Sequence, residues 1–180
     1  MWLNRRQVNK DAYIGGDEDE IKKSLLAEGA DPLSISKNLA EIKSIKVSKN
    51  NPDTLVLGAD SVVSFNNSII NKPNTREEAL SILKKLNNSI HYLISSVCIS
   101  KNGAMIWNYS DTSELKMKNH SEKQLIDYLK KIKTEILLAY GVYQVEADGL
   151  NLFEYIKGDH YSIMGLPIKE IISYINEYKK

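Results

Sequence analysis

The stretch from residue 54 to residue 73, TLVLGADSVVSFNNSIINKP, constrains the fold of this chain more than any other. Its apolar, β-branched start predicts a strand over residues 54–59 that ends at Asp60, and two short strand-like runs follow before Lys72. A strand end is rigid enough to aim a side chain into a crevice, so Asp60 and Lys72 indicate a site for a charged substrate. The alternative is that Asp60 only caps a turn, as many aspartates after strands do.

Length and charge limit the classes of partner. A chain of 180 residues favours one domain, large enough for a substantial core. The formal net charge is +1 and there is no basic tract. Long nucleic acid is therefore not an expected partner, because it requires a dense positive surface. A single nucleotide remains compatible, since one triphosphate needs only a few well-placed cations.

Cysteine usage and hydropathy indicate the compartment. The single cysteine, Cys98, excludes an internal disulfide, and the three histidines are too scattered for a metal site. No apolar stretch reaches the length of a membrane span, and residues 1–16 lack the apolar core of a signal peptide. The expected compartment is therefore the reducing cytoplasm, with no membrane partner.

Helix and strand patterns mixed along the chain predict an α/β fold. Helices are expected over residues 17–29, 34–47, 75–87, 121–131 and 167–178. Strands are expected over residues 54–59, 62–65, 68–70, 91–100, 104–117 and 151–156, with a loop over 157–165. Two of the helices begin with the spacing of a capping box, at Thr75 and at Ser121.

Six short segments share an order and spacing that resemble the Maf-like nucleoside triphosphate pyrophosphatases. They are Asp17-Glu18, LAEIK ending at Lys43, LGAD ending at Asp60, NKP containing Lys72, GVYQVEADG over residues 141–149, and YSIMGLP over residues 161–167. The resemblance runs from residue 17 to the C-terminus and implies a single domain over residues 1–180. The implied fold is an elongated mixed β-sheet flanked by helices, with two lobes around a nucleotide cleft.

The resemblance also implies an activity: hydrolysis of a nucleoside triphosphate to the monophosphate and pyrophosphate, with Mg²⁺ or Mn²⁺. It assigns Asp60 as proton acceptor and places Glu18, Lys43 and Lys72 around the triphosphate. Asp60 and Glu18 are the candidate metal ligands. The chemistry of these residues agrees, because attacking water needs a base and the pyrophosphate leaving group needs nearby cations.

Structural roles remain open for the residues around Asp60. Lys43 is equally compatible with a solvated position on an amphipathic helix, and Lys72 with a hairpin charge. Glu18 is compatible with a carboxylate at a helix entry, favoured by the helix dipole. The DEDE run also permits a shift, which leaves Asp17 and Asp19 as alternatives to Glu18.

Two positions that track base choice in the resembling family are Ser61 and Glu146 here. A carboxylate accepts two hydrogen bonds, which suits the donors of a guanine-type base such as that of 7-methyl-GTP. Ser61 resembles a shortened threonine, which leans toward dTTP or UTP. The sequence leaves the choice between these nucleotides open.

The N-terminus departs from the family pattern. Members begin with an apolar strand and an SxSPRR-type loop, whereas this chain begins MWLNRRQVNKDAYIGG, where Arg5 and Arg6 are the only match. The expectation is that this part of the phosphate site is missing or altered.

A second interpretation is therefore an impaired family member that acts through protein interaction in cell-division control. A third is an inosine- or xanthosine-triphosphate pyrophosphatase, disfavoured by the pairing of GAD with NKP. A homodimer is implied by the resemblance alone.

Overall fold

A computed structural model describes residues 15–145 and 148–179 of the chain. Seven α-helices and five β-strands lie within these ranges. The helices are α1 (Gly15–Ala27), α2 (Pro32–Lys49), α3 (Arg76–Leu86), α4 (Glu122–Lys131), α5 (Thr134–Tyr140), α6 (His160–Ile163) and α7 (Ile168–Tyr178). The strands are β1 (Val56–Phe65), β2 (Ser68–Ile70), β3 (Ile90–Lys101), β4 (Ala104–Met117) and β5 (Phe153–Lys157). No helix in these ranges is long and apolar enough to cross a membrane.

The five strands form one sheet in the order β2-β1-β3-β4-β5. Tight turns at Asn66-Asn67 and Asn102-Gly103 join neighbouring strands, and all four residues have positive φ angles, as such hairpins require. The predicted α/β class is thus confirmed. Within the described ranges every strand pair is antiparallel, so this part of the sheet is not the mixed sheet that the resemblance implies.

Helix α2 covers one face of the sheet at unusually short range. Gly58 lies in β1 under this helix, and a Cβ atom there would lie 2.3 Å from the carbonyl oxygen of Ala40 and 2.7 Å from the amide nitrogen of Ser44. The hydroxyl of Ser44 also contacts that of Ser100 in β3 at 2.7 Å. Small residues on both sides therefore let the helix backbone approach the sheet directly.

The opposite face of the sheet carries two separate apolar clusters. The larger one packs α3, α4 and α5 against the ends of β4 and β5, around Leu83, Leu115 and Leu129. The smaller one packs α7 against β3, with Ile171 over Val97 and neighbouring aromatic side chains of β4. Helix α2 and these two clusters enclose the sheet on both faces, which explains why β3 is buried along most of its length.

The predicted boundaries agree with the structure except around Asp60, at Thr134–Tyr140, where the structure has the unpredicted helix α5, and near the C-terminus. The strands predicted over residues 54–59 and 62–65 form the single strand β1, which passes through Asp60 without a turn. Its pairing with β3 is unbroken from Val56 to Ser64, so the predicted strand end and the turn-capping alternative are both wrong. The predicted loop over residues 157–165 contains the short helix α6, whose first amides bond to the Asp159 carboxylate.

A buried histidine connects β3 to the larger apolar cluster. His91 is fully buried, its Nε2 lies 2.9 Å from the hydroxyl oxygen of Tyr143, and its ring packs against Phe153. His91 therefore has a packing role in the core. Burial disfavours the charged imidazolium and lowers the pKa of His91 from 6.5 to about 4.

The free energy of unfolding is expected to fall as the pH falls from 6.5 to about 4. In this range the unfolded chain binds a proton at His91 and the folded chain does not, which costs the folded state up to about 3 kcal/mol. Urea unfolding across this pH range measures the slope. His91→Gln should flatten it, whereas His120→Gln, at a partly exposed histidine, should keep it. An unchanged slope in His91→Gln would contradict the prediction.

Gly58→Ala is expected to lower the free energy of unfolding by about 2 kcal/mol, because the new methyl group meets helix backbone that has no alternative position. Gly29→Ala is the control, since a Cβ atom there has no neighbour within 4 Å and only its φ of +78° opposes the change. That cost is about 1 kcal/mol. Thermal and chemical unfolding compare the two variants. A loss at Gly58 no larger than at Gly29 would show that α2 separates from β1 easily.

Candidate active site

Lys43 joins two carboxylates that lie far apart in the sequence. Its Nζ atom lies 2.8 Å from Oδ1 of Asp60 in β1 and 3.1 Å from Oε1 of Glu18 in α1. The side chain of Asp60 is only 9% exposed, whereas those of Lys43 and Glu18 are about one-third exposed. Three of the predicted site residues therefore form one cluster, open to solvent on one side.

The packing of α2 on β1 determines this geometry. Residues of a strand alternate between its two faces, so Asp60 shares with Gly58 the face beneath α2. Lys43 immediately precedes Ser44, whose backbone lies close to Gly58. The ammonium group of Lys43 therefore lies over the carboxylate of Asp60. The hydroxyl of Ser36, one turn into the same helix, donates to the carbonyl oxygen of Asp60 at 3.1 Å. The helix thus holds both the backbone and the side chain of Asp60.

Burial and charge act in opposite directions on Asp60. Desolvation raises the pKa of its carboxyl group above the ordinary value, and the attraction of Lys43 only partly offsets this. For Lys43, desolvation would lower the pKa, but the attraction of Asp60 and Glu18 outweighs it and the pKa is raised. Lys43 therefore stays positively charged while Asp60 has more affinity for a proton than an exposed aspartate.

One oxygen of Asp60 has no hydrogen-bond partner. Oδ1 accepts from Lys43, but Oδ2 is buried and unpaired among the described residues. A buried carboxylate oxygen without a partner is costly, and such atoms are expected where a ligand, ion or water binds. Oδ2 is therefore the atom of the cluster that is free to accept a proton or to hold a cation.

The cluster fits a cation that is shared with a substrate rather than held by the protein alone. No group of three or more histidine, cysteine, aspartate or glutamate side chains in the described ranges could form a metal cage. Glu18 and Asp60 supply two carboxylates, and Mg²⁺ commonly binds one or two carboxylates together with substrate phosphates. The unpaired Oδ2 atom of Asp60 is a carboxylate oxygen that such a cation could bind.

Lys72 lies beyond the end of β2, outside the cluster of Glu18, Lys43 and Asp60, and its side chain is exposed. β2 pairs with β1 so that Ile70 lies opposite Val63. Ile70 is the last paired residue of β2, so Lys72 follows it by two residues without strand pairing to β1. A role for Lys72 beside Asp60 therefore stays a prediction.

Ser61 faces away from α2 and contacts a residue that sequence reasoning missed. Its Oγ atom lies 2.9 Å from Oγ of Ser95, the residue directly opposite in β3. Ser95 in turn donates to the carbonyl oxygen of Ser162 in α6, at 2.7 Å. The sequence signal for Ser95 is the polar pair Ser95-Ser96, which interrupts the apolar middle of β3.

Several predicted residues lie outside the described part of the chain. They are Arg5, Arg6 and Glu146, together with the side chains of the two alternatives to Glu18, Asp17 and Asp19. Their predicted roles stay predictions. Among the described residues, Glu18 itself is the acidic side chain of the DEDE run that contacts Lys43.

Comparison with known proteins identifies the family of this chain. A family model described as Maf-like protein matches residues 5–178. A protein of Pelagibacter ubique named nucleoside triphosphate pyrophosphatase is 55% identical over 163 residues, which cover 91% of this chain and 84% of the relative. Proteins of the same name from Ruegeria pomeroyi and Caulobacter vibrioides are 36% and 34% identical, and each match covers 80% of the relative and 88% or 89% of this chain. The chain belongs to the Maf-like protein family.

Proposed function

We propose that this chain hydrolyses a nucleoside triphosphate to the nucleoside monophosphate and pyrophosphate, with Asp60 as the proton acceptor. The observation that carries the proposal is the ion-paired cluster of Glu18, Lys43 and Asp60, in which Oδ2 of Asp60 is buried and free. The relatives named nucleoside triphosphate pyrophosphatase support the same reaction. The enzyme is on this view a hydrolase of nucleotide metabolism.

The chemical step is the attack of water on the α-phosphorus. The water oxygen forms a bond to this phosphorus while the bond from the α-phosphorus to the bridging oxygen breaks, and pyrophosphate leaves with that oxygen. Oδ2 of Asp60 takes the proton that the water loses. A carboxyl group whose pKa is raised by burial is a stronger base than an exposed one, which favours this role.

Two lysines offset the negative charge of the triphosphate. Lys43 remains charged beside Asp60, and a phosphate bound at the cluster would lie within reach of its ammonium group. Lys72, two residues beyond the end of β2, is the second proposed cation, and its exposed ammonium group would meet the pyrophosphate. Charge accumulates on the leaving group in the transition state, so cations placed beforehand lower the barrier.

A divalent cation, Mg²⁺ or Mn²⁺, completes the proposed site, with Asp60 and Glu18 as its protein ligands. When bound, it neutralises phosphate charge and makes the α-phosphorus more electrophilic. Lys43 holds both carboxylates in place at 2.8 Å and 3.1 Å. The protein thereby keeps two negative groups close together before any cation binds.

We place the nucleoside part of the substrate between the two apolar clusters, which would form the two lobes of the proposed cleft. Ser61 lies there, next to Asp60 in sequence and on the opposite face of β1. We keep Ser61 and Glu146 as the residues that select the base, with 7-methyl-GTP and dTTP or UTP as the alternatives. The ribose and base would extend from the phosphates across the edge of the strand.

The intact cluster favours catalysis over the interaction-only interpretation. A protein that acts only as a partner has no need for a buried, desolvated carboxylate paired with a lysine, because such pairs contribute little to stability. We place the reaction in the cytoplasm, as the nucleotide substrate and the single cysteine suggest.

Asp60→Asn is expected to lower kcat at least about 100-fold while the protein stays folded, because an amide does not accept the proton of the attacking water. Pyrophosphate release from dTTP, UTP, CTP, GTP, 7-methyl-GTP, ITP and ATP, with Mg²⁺ or Mn²⁺, measures the effect. Asp127→Asn, at an exposed aspartate of α4, should keep the wild-type rate. Retained turnover in Asp60→Asn would remove Asp60 from the mechanism.

Lys43→Met is expected to lower the free energy of unfolding at pH 7 by roughly 2 kcal/mol, because it leaves Asp60 charged, buried and unpaired. The double variant Lys43→Met/Asp60→Asn should recover most of this loss, since the buried charge is then absent. Lys37→Met makes the same substitution at an exposed lysine of α2. It is the control for replacing a lysine of this helix without breaking an ion pair to Asp60. A double variant no more stable than Lys43→Met would show that the ion pair does not account for the loss.

A further inference from the structure

Two hydroxyl groups and one carbonyl group form a continuous chain of hydrogen bonds that connects β1, β3 and α6. Oγ of Ser61 lies 2.9 Å from Oγ of Ser95, and Oγ of Ser95 lies 2.7 Å from the carbonyl oxygen of Ser162. Ser95 and Ser162 are each 1% exposed, whereas Ser61 is exposed. The chain thus begins at the surface, beside Asp60, and ends in the interior.

The direction of the hydrogen bonds follows from the number of protons. A carbonyl oxygen only accepts, so the single hydroxyl proton of Ser95 is donated to Ser162. The same carbonyl also accepts from the amide of Gly165 at 2.9 Å, which keeps it in its acceptor role. Ser95 then has only lone pairs left toward Ser61. The contact between the two hydroxyls is favourable only if Ser61 donates its own proton to Ser95.

We infer that Ser95 is a positioning residue that makes Ser61 an acceptor-only group toward the substrate. With its proton used on Ser95, the Ser61 oxygen offers lone pairs alone. It would repel phosphate oxygens, which are also acceptors, and it would bind an N–H or O–H donor. The nucleoside supplies such donors at a ring N–H of the base and at the ribose hydroxyls. Ser61 therefore selects for a donor on the nucleoside, and Ser95 sets that preference without touching the substrate.

The position of Ser61 agrees with this role. Asp60 and Ser61 are consecutive in β1 and so point to opposite faces of the sheet. In the described ranges β2 covers the outer edge of β1 only from Val63 to Phe65, which leaves the edge beside Asp60 and Ser61 without a strand partner. A nucleotide lying across this edge would place its phosphates at Asp60 and its nucleoside at Ser61. The inference rests on the proposed function for its ligand.

Hydrogen bonds in a chain also strengthen one another. A donor on the substrate, Ser61, Ser95 and the Ser162 carbonyl would form one series in which every proton points the same way. An acceptor at the same place would have to reverse the whole series, which the Ser162 carbonyl does not allow. Selection is therefore sharper than a freely rotating serine would give, because the wrong partner leaves a lone pair facing a lone pair.

The test compares Ser95→Ala with Ser100→Ala. Ser100 is also buried in β3 and also contacts a serine hydroxyl, that of Ser44, but it lies opposite Val56 and away from Asp60. Two ratios of kcat/KM are measured: UTP over 3-methyl-UTP, in which a methyl group replaces the hydrogen of the ring N–H, and UTP over dUTP, which lacks the ribose 2′-hydroxyl. Ser95→Ala frees the proton of Ser61 and is expected to lower one of these ratios about tenfold, whereas Ser100→Ala should leave both within about twofold.

Two further variants separate a positioning role from a structural one. Ser61→Ala should lower the same ratio, and Ser95→Ala added to it should cause no further change, because Ser95 acts through Ser61. The same ratios measured as Kd values in the Asp60→Asn background test the preference without turnover. If the wild type turns over no nucleotide but these Kd ratios respond as stated, the proposed function fails and the inference stands. If Ser95→Ala changes all nucleotides equally, or still acts when Ser61 is alanine, the inference is overturned.

Discussion

The direct contact between the backbone of α2 and that of β1 is the constraint on which the rest of this structure depends. Without a side chain at Gly58, the carbonyl of Ala40 and the amide of Ser44 occupy space that any Cβ atom would need. The helix lies close enough for Ser36 to bond to the strand and for Lys43 to reach Asp60. A helix held further from the sheet would leave a gap there that larger side chains would have to fill.

This close approach explains how a carboxylate is tolerated in the middle of a strand. Asp60 is opposite Ser96 in a continuous antiparallel pair, where an unpaired charge would destabilise the fold. Lys43 supplies the opposite charge, and Glu18 shares it. The pairing is incomplete, because burial still raises the pKa of Asp60 and its Oδ2 atom has no partner. The unpaired Oδ2 atom of Asp60 therefore makes the fold less stable and the carboxylate more reactive, a combination that is common at functional sites.

Local patterns predicted most elements because they depend on neighbouring residues. The capping box at Ser121 is present as its spacing predicts, and the strands joined at Asn102-Gly103 extend as their composition indicates. The sequence pattern predicts a strand end at Asp60 because the partner of this residue, Lys43, lies on another element, and sequence alone does not show that α2 covers it. For the same reason the pattern does not identify Ser95, whose position opposite Ser61 arises only in the sheet.

The two faces of β1 divide the proposed chemistry between consecutive residues. On one face Asp60 meets a helix that brings positive charge and a donor hydroxyl, and this environment suits phosphate, metal and water. On the other face Ser61 begins a series of uncharged hydrogen bonds that ends at the carbonyl of Ser162. This environment suits a weak, directional contact with a nucleoside. In the proposed mechanism, reaction type and base choice thus depend on different elements, α2 for the first and α6 for the second. A change of base preference would then require changes around Ser61, Ser95 and α6, while α2 and its contact at Gly58 stayed as they are.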